Sequence, residues 1–140
     1  MTETTALNDT PRAQREGYEN EDRAQRNAAR AEAVAAVARE FAAAVDEEGR
    51  FPREAIDEAR AQGLLGAPMS EADGGLGWSI TELCRMLERV GRECTSTAMI
   101  LAMHHSQTLC LTRHADTEYL RDFTRRVATE GLLLASATTE

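Results

Sequence analysis

The sequence contains no lysine: all 16 basic residues are arginine, and they face 24 Asp and Glu for a formal net charge of -8. A nucleic-acid surface needs a concentrated basic patch, so no nucleic-acid partner is expected. Aromatic residues make up only 4% of the chain, so any core has to be mostly aliphatic. Cysteine is scarce and odd in number. Cys84, Cys94 and Cys110 form no C-x-x-C pair and no spacing with histidine that suits a zinc module, so no metal site is expected and the thiols read as reduced. The N-terminus has neither a basic segment nor an apolar one following it, so no secretory signal is expected. No apolar run is longer than six residues, the length of Ala98 to Met103. A membrane span needs about 20, so none is expected, and the location read from these absences is cytoplasmic. Neither of the two common nucleotide-binding fingerprints, the G-x-G-x-x-G turn and the Walker loop, is present.

What is present favours helices. The chain has 140 residues, a length suited to one domain. Alanine, arginine and glutamate, all strong helix formers, are abundant. Residues 1–21 are polar and read as a disordered arm. From Asp22 to Val45 an apolar stripe of Val34, Val37, Ala38, Phe41 and Val45 marks one helical face. Phe51-Pro52 opens a second helix with Ile56 and Ala59 inside and Gly63 beyond its end. Leu64 to Trp78 reads as a loop. Ser79 and Glu82 have capping-box spacing, flanked by Trp78 and Leu83 at the positions of a hydrophobic staple. The helix they start places Ile80, Leu83, Cys84, Leu87 and Val90 inward. Thr95 to Arg113 is apolar nearly all round and reads as a central, deeply buried helix, with Thr95, Ser96 and Thr97 as an N-cap cluster. Asp116 or Thr117 caps a last amphipathic helix carrying Tyr119, Leu120, Phe123 and Val127, which Gly131 stops. The expected fold is all-α, an up-down helical bundle over 22–131 with a short terminal strand-like segment at 132–140.

Few residues offer chemistry. Gly74-Gly75-Leu76-Gly77 follows no strand and reads as a tight turn that needs positive φ. His104 and His105 lie in the most apolar helix, where an imidazole needs partners or a wet cavity. Two readings stay open: histidines satisfied within the core, or His104 at the border of a ligand cavity. Cys94 and Cys110 read as small core residues. No Ser-His-Asp set, carboxylate pair or metal cluster can be assembled.

Several segments, in order, carry a family resemblance. These are Phe51 to Ile56 with Gly63 to Gly66, the Pro68 to Gly77 turn, and Thr81-Glu82-Leu83 with Leu87 to Val90. Cys94 to Ala98, His104, Tyr119 to Arg121 and finally Ala137 to Glu140 follow. Together they resemble the N-terminal helical domain of the acyl-CoA dehydrogenase family over roughly residues 30–140. The resemblance implies an FAD-dependent oxidoreductase acting on an acyl thioester, in which the flavin does the redox chemistry and the protein positions it. It implies that residues 132–140 begin a truncated middle β domain and that Thr139 contacts the flavin. The helix at 95–111 would line the acyl and flavin cavity, with Thr97, Ile100, Leu101 and His104 as its wall. The family's catalytic carboxylate lies in a C-terminal helical domain, so no catalytic residue is expected in this chain. Alone, without its β and C-terminal helical domains, the chain is expected to be inactive; complete, it would be a homo-oligomer. His104 and the Thr138-Thr139-Glu140 ending are also similar to the related flavin-dependent monooxygenases, a second reading. A non-catalytic all-α interaction module is the third.

Overall fold

The structure, a computed structural model, describes residues 12–136. Five α-helices follow one another: α1 (Arg12–Glu48), α2 (Arg53–Ala61), α3 (Ile80–Gly91), α4 (Thr95–His114) and α5 (Glu118–Glu130). Two short 3-10 turns, Leu64–Gly66 and Glu71–Asp73, occupy the connection between α2 and α3. No strand occurs among the described residues, and the fold is an all-α up-down bundle. Leu132 to Ser136 is irregular rather than a strand, since nothing described lies beside it to pair with.

Helix α1 is the spine. Its 37 residues span about 55 Å at 1.5 Å per residue. It begins ten residues before the start expected at Asp22, so only residues 1–11 of the expected arm lie outside the described part. Composition explains the difference: between Pro11 and Gly49 the only breaker is Gly17, and alanine, arginine and glutamate sustain a helix without an apolar stripe. The Arg26–Asp22 pair adds local support one turn apart, and Arg23 reaches from α1 to the carbonyl of Gly77. Further along, Val34, Ala35, Ala38 and Val45 are fully buried. α2 and α3 pack on this face, α4 packs on α3, and α5 packs on α4. The Leu64–Gly66 turn wedges between α2, α4 and α5.

Helix α4 is therefore a flank of the bundle, not its centre. The core joins α1, α2 and α3 through Ile56, Ala59, Leu64, Leu83, Met86 and Val90, and α4 adds Leu101. A hydrophobicity argument cannot tell a helix buried on all sides from one with an apolar face left uncovered, which is why the central placement failed.

The capping box at α3 is formed. Ser79 Oγ accepts the Glu82 N–H at 3.3 Å, and Glu82 Oε2 accepts the Ser79 N–H at 2.7 Å. Trp78 and Leu83 both join the core. Inside α3, Ile80 and Cys84 point outward and Met86 takes the buried place expected for Cys84. Ser79→Ala is expected to cost roughly 0.5–2 kcal/mol by orphaning an α3 amide, read as a lowered urea midpoint at unchanged slope.

A charged cluster fastens α1 to the last turn of α3 and to the corner that follows it. Arg89 holds Glu32 at 2.6 and 2.8 Å and Glu93 at 2.6 Å, while Arg39 holds Glu93 through two bonds of 2.7 Å. Hydrogen bonds from Arg39 and then Arg89 hold the Glu93 carboxyl down to about 2. The cluster is solvent-facing, so it fixes register more than it stabilises.

Candidate functional site

Helix α4 has an inverted pattern of burial. Thr97, Leu101, His104 and Thr108 recur at spacings of four, three and four residues, which is one helical stripe, and all are buried together with His105. The stripe of Met99, Met103, Ser106 and Cys110 has the same spacing and points to solvent. Met99 is 59% exposed and Met103 46%. Four polar side chains of this helix, Thr97, His104, His105 and Thr108, are thus inside, and its methionines are outside. Met99 and Met103, one turn apart, form an exposed apolar pair on this face.

Of the four residues expected at a cavity wall, three face the bundle itself. Thr97, Leu101 and His104 are fully buried, and Ile100 is half-buried. The N-cap cluster does not cap: Cys94 stands at the N-cap with no side-chain bond, and Thr97 Oγ1 has no partner. Thr117, by contrast, caps α5 as expected, accepting the Leu120 N–H at 3.2 Å. Cys94 is buried, whereas Cys110 is exposed beside His114 and Phe123 in a groove of about 420 Å³ between α4 and α5. Thr139, the expected flavin contact, lies outside the described residues.

The two histidines are neighbours in sequence and opposites in environment. His104 Nδ1 accepts the Leu134 N–H at 3.0 Å, and its Nε2 sits 2.7 Å from the Leu65 carbonyl. An Nδ1 that accepts leaves the proton on Nε2, so the ring is neutral and Nε2 donates to Leu65. Burial pushes the His104 pKa down, opposed by the bond to the Leu65 carbonyl. His105 meets the edge of His104, ring centroids 5.0 Å apart, and neither of its ring nitrogens has a partner. Burial, and then the neighbouring His104, push His105 down to about 3. Sequence reasoning marked the pair but had no means of seeing the partners of His104, because both are backbone groups 30 and 39 residues away.

A larger hollow of about 540 Å³ lies between the 68–77 loop, the end of α4 and α5, with Ser70, Thr112, Arg121 and Arg125 on its walls. Arg125 is engaged by Asp122 at 2.7 Å and by Asp73 at 3.7 Å. Among the described residues no group of three or more His, Cys, Asp and Glu could hold a metal ion. None of the described helices is long and apolar enough to cross a membrane.

The described chain is thus an all-α bundle whose flanking helix α4 exposes two methionines and pins the segment that follows α5. The family model of the acyl-CoA dehydrogenase N-terminal domain matches residues 19–131. The chain belongs to the acyl-CoA dehydrogenase family. It is 32% identical over 78 residues to the short-chain specific acyl-CoA dehydrogenase of Clostridium acetobutylicum, covering 56% of this chain and 21% of that protein. It is 35% identical over 97 residues to the cyclohex-1-ene-1-carbonyl-CoA dehydrogenase of Geobacter metallireducens, covering 69% of this chain and 26% of that one. The match spans about a quarter of the length of these relatives. No solved structure matches the chain significantly.

Proposed function

We propose that this chain forms one wall of the acyl and flavin cavity of an FAD-dependent oxidoreductase acting on an acyl thioester. The observation that carries the proposal is the exposed pair Met99 and Met103 on α4, on a chain whose family is established. Met99 and Met103 are flexible and polarizable, suited to an acyl chain of variable shape. The wall is accordingly assigned to Met99, Met103 and half-buried Ile100, with Thr97, Leu101 and His104 holding that wall from behind. The stripe suits the apolar part of a ligand. It offers nothing to a pyrophosphate, so most of the FAD would be held by β and C-terminal helical domains, with Thr139 as this chain's contact. When bound, FAD would supply the acceptor for a hydride from the acyl β carbon. The described residues contribute shape and exclusion of water to that step, and no acid or base. A cytoplasmic homo-oligomer is part of the same proposal.

The monooxygenase reading gains nothing from His104, whose two ring nitrogens are both occupied by backbone. A free-standing interaction module fits poorly with membership of a family whose curated relatives are dehydrogenases. The test joins this chain to the β and C-terminal helical domains and adds an acyl-CoA without oxygen. Flavin absorbance that bleaches on addition supports the reading. A colourless protein, or a yellow one that acyl-CoA leaves unbleached, would sink it.

A further inference from the structure

His104 is the only side chain among those described that bonds both the turn after α2 and the segment after α5. Its ring bridges the Leu65 carbonyl at 2.7 Å and the Leu134 N–H at 3.0 Å. The segment has two other backbone anchors, both at its start. Leu132 N–H bonds the Val127 carbonyl at 3.2 Å, closing the end of α5, and Arg60 Nε bonds the Gly131 carbonyl at 2.9 Å. Past Leu132 the described chain is irregular, and Leu133 packs on the core while Ala135 and Ser136 are exposed. The bond to His104 is thus the last polar attachment described before the chain leaves the bundle.

We propose that His104 is a positioning residue: it fixes the register and direction in which the segment beyond α5 departs toward the flavin. The ring can do this because it is rigid and presents a donor and an acceptor on opposite sides. As a buried, neutral imidazole in the Nε2–H tautomer it satisfies one backbone acceptor and one backbone donor that are far apart in sequence. A one-residue slip of the segment would offer the ring a different amide and move every later residue by one place. Thr139 lies five residues beyond Leu134. Its placement by this bond rests on the proposed function; the pinning of Leu134 does not.

The test uses the 140-residue chain, isotope-labelled for nuclear magnetic resonance. The His104 ring is expected to carry its proton on Nε2, and the Leu134 amide is expected to be protected from hydrogen exchange. His104→Leu removes both bonds and should speed Leu134 exchange by about tenfold or more under conditions where the α1 amides of Val34 and Ala35, which follow global stability, remain protected. His104→Asn keeps an acceptor near the position of Nδ1 but is too short to reach Leu65, so it should restore most of the Leu134 protection. A proton on Nδ1 in the unmodified chain, or equal Leu134 exchange with histidine and leucine, would overturn the proposal. If His104→Leu does not fold, the tautomer and the asparagine variant decide it. Loss of FAD binding in the complete protein with Leu134 still protected would count against the flavin reading alone.

Discussion

Gly75→Ala is expected to destabilise the chain by about 3 kcal/mol, with a correspondingly lower urea midpoint. A Cβ at Gly75 would lie 2.2 Å from the Met69 carbonyl oxygen and 2.6 Å from that of Gly66. Neither oxygen is free to move. Met69 O accepts the Gly77 N–H at 2.7 Å, and Gly66 O accepts the Met69 N–H at 3.0 Å. Relieving the clash therefore breaks the ladder of bonds that folds residues 66–78 back on themselves, including the 2.8 Å bond from Trp78 N–H to the Ala67 carbonyl. That loop seats Trp78 in the core and sets up the start of α3. The contrasting control is Gly17→Ala, on the exposed face of α1, where an added Cβ meets nothing within 4 Å. It is expected to stabilise by roughly 0.5–1 kcal/mol, since alanine loses less backbone entropy in a helix. Equal midpoints for the two variants would show that the loop is not packed as described.

Acid is expected to unfold the chain largely through its two buried histidines. The ordinary histidine value is 6.5, and in the fold His105 is pushed down to about 3, with His104 shifted in the same direction. The unfolded chain therefore takes up protons first as pH falls. Stability is complete above pH 6.5 and is lost between 6.5 and about 3. From His105 alone the slope is up to roughly 1.4 kcal/mol per pH unit. The carboxylate of Glu93 acts in the same sense but only below its ordinary value of 4.5, so the upper part of the window belongs to the histidines. His105→Leu is expected to flatten that upper window. At neutral pH it should be neutral or stabilising, because neither ring nitrogen makes a bond that is lost. His104→Leu should instead cost about 2 kcal/mol, since it orphans a buried carbonyl and an amide. Opposite signs at adjacent positions are the signature; a His105→Leu variant with an unchanged acid slope would refute this cause of acid unfolding.

Local signals in the sequence read well because their partners are close by. Ser79 and Glu82 cap each other across three residues, Thr117 caps α5, and Gly63 and Gly131 take the left-handed conformation that ends α2 and α5. The end of α4 falls at His114, one residue from the expected Arg113. The turn chemistry of Gly74 and Gly77, with φ of 87° and 62°, was also legible, whereas the steric demand at Gly75 was not. What failed had no apolar period or local partner to show it. The early start of α1 depends on helix propensity between Pro11 and Asp22, not on an apolar stripe. The burial of α4 depends on which side α3 and α5 occupy, and periodicity gives no sign when a helix is apolar nearly all round. So the sequence singled out Thr97, Leu101 and His104, which face the bundle, and gave no sign that Met99 and Met103 are the exposed ones. His104 was singled out rightly as unusual, but its partners are backbone atoms, which leave no trace in residue types.

Whether the outward stripe of α4 meets the substrate can be read directly by photolabelling. The complete flavoprotein would be irradiated with an acyl-CoA carrying a photoreactive group on its acyl chain, digested, and mapped by mass spectrometry. Adducts are expected on the α4 segment that carries Met99 and Met103, and they should disappear in excess unlabelled acyl-CoA. Competable adducts confined to α1, α2 or α3, with α4 unlabelled, would contradict the assignment of α4 as the wall of the acyl cavity.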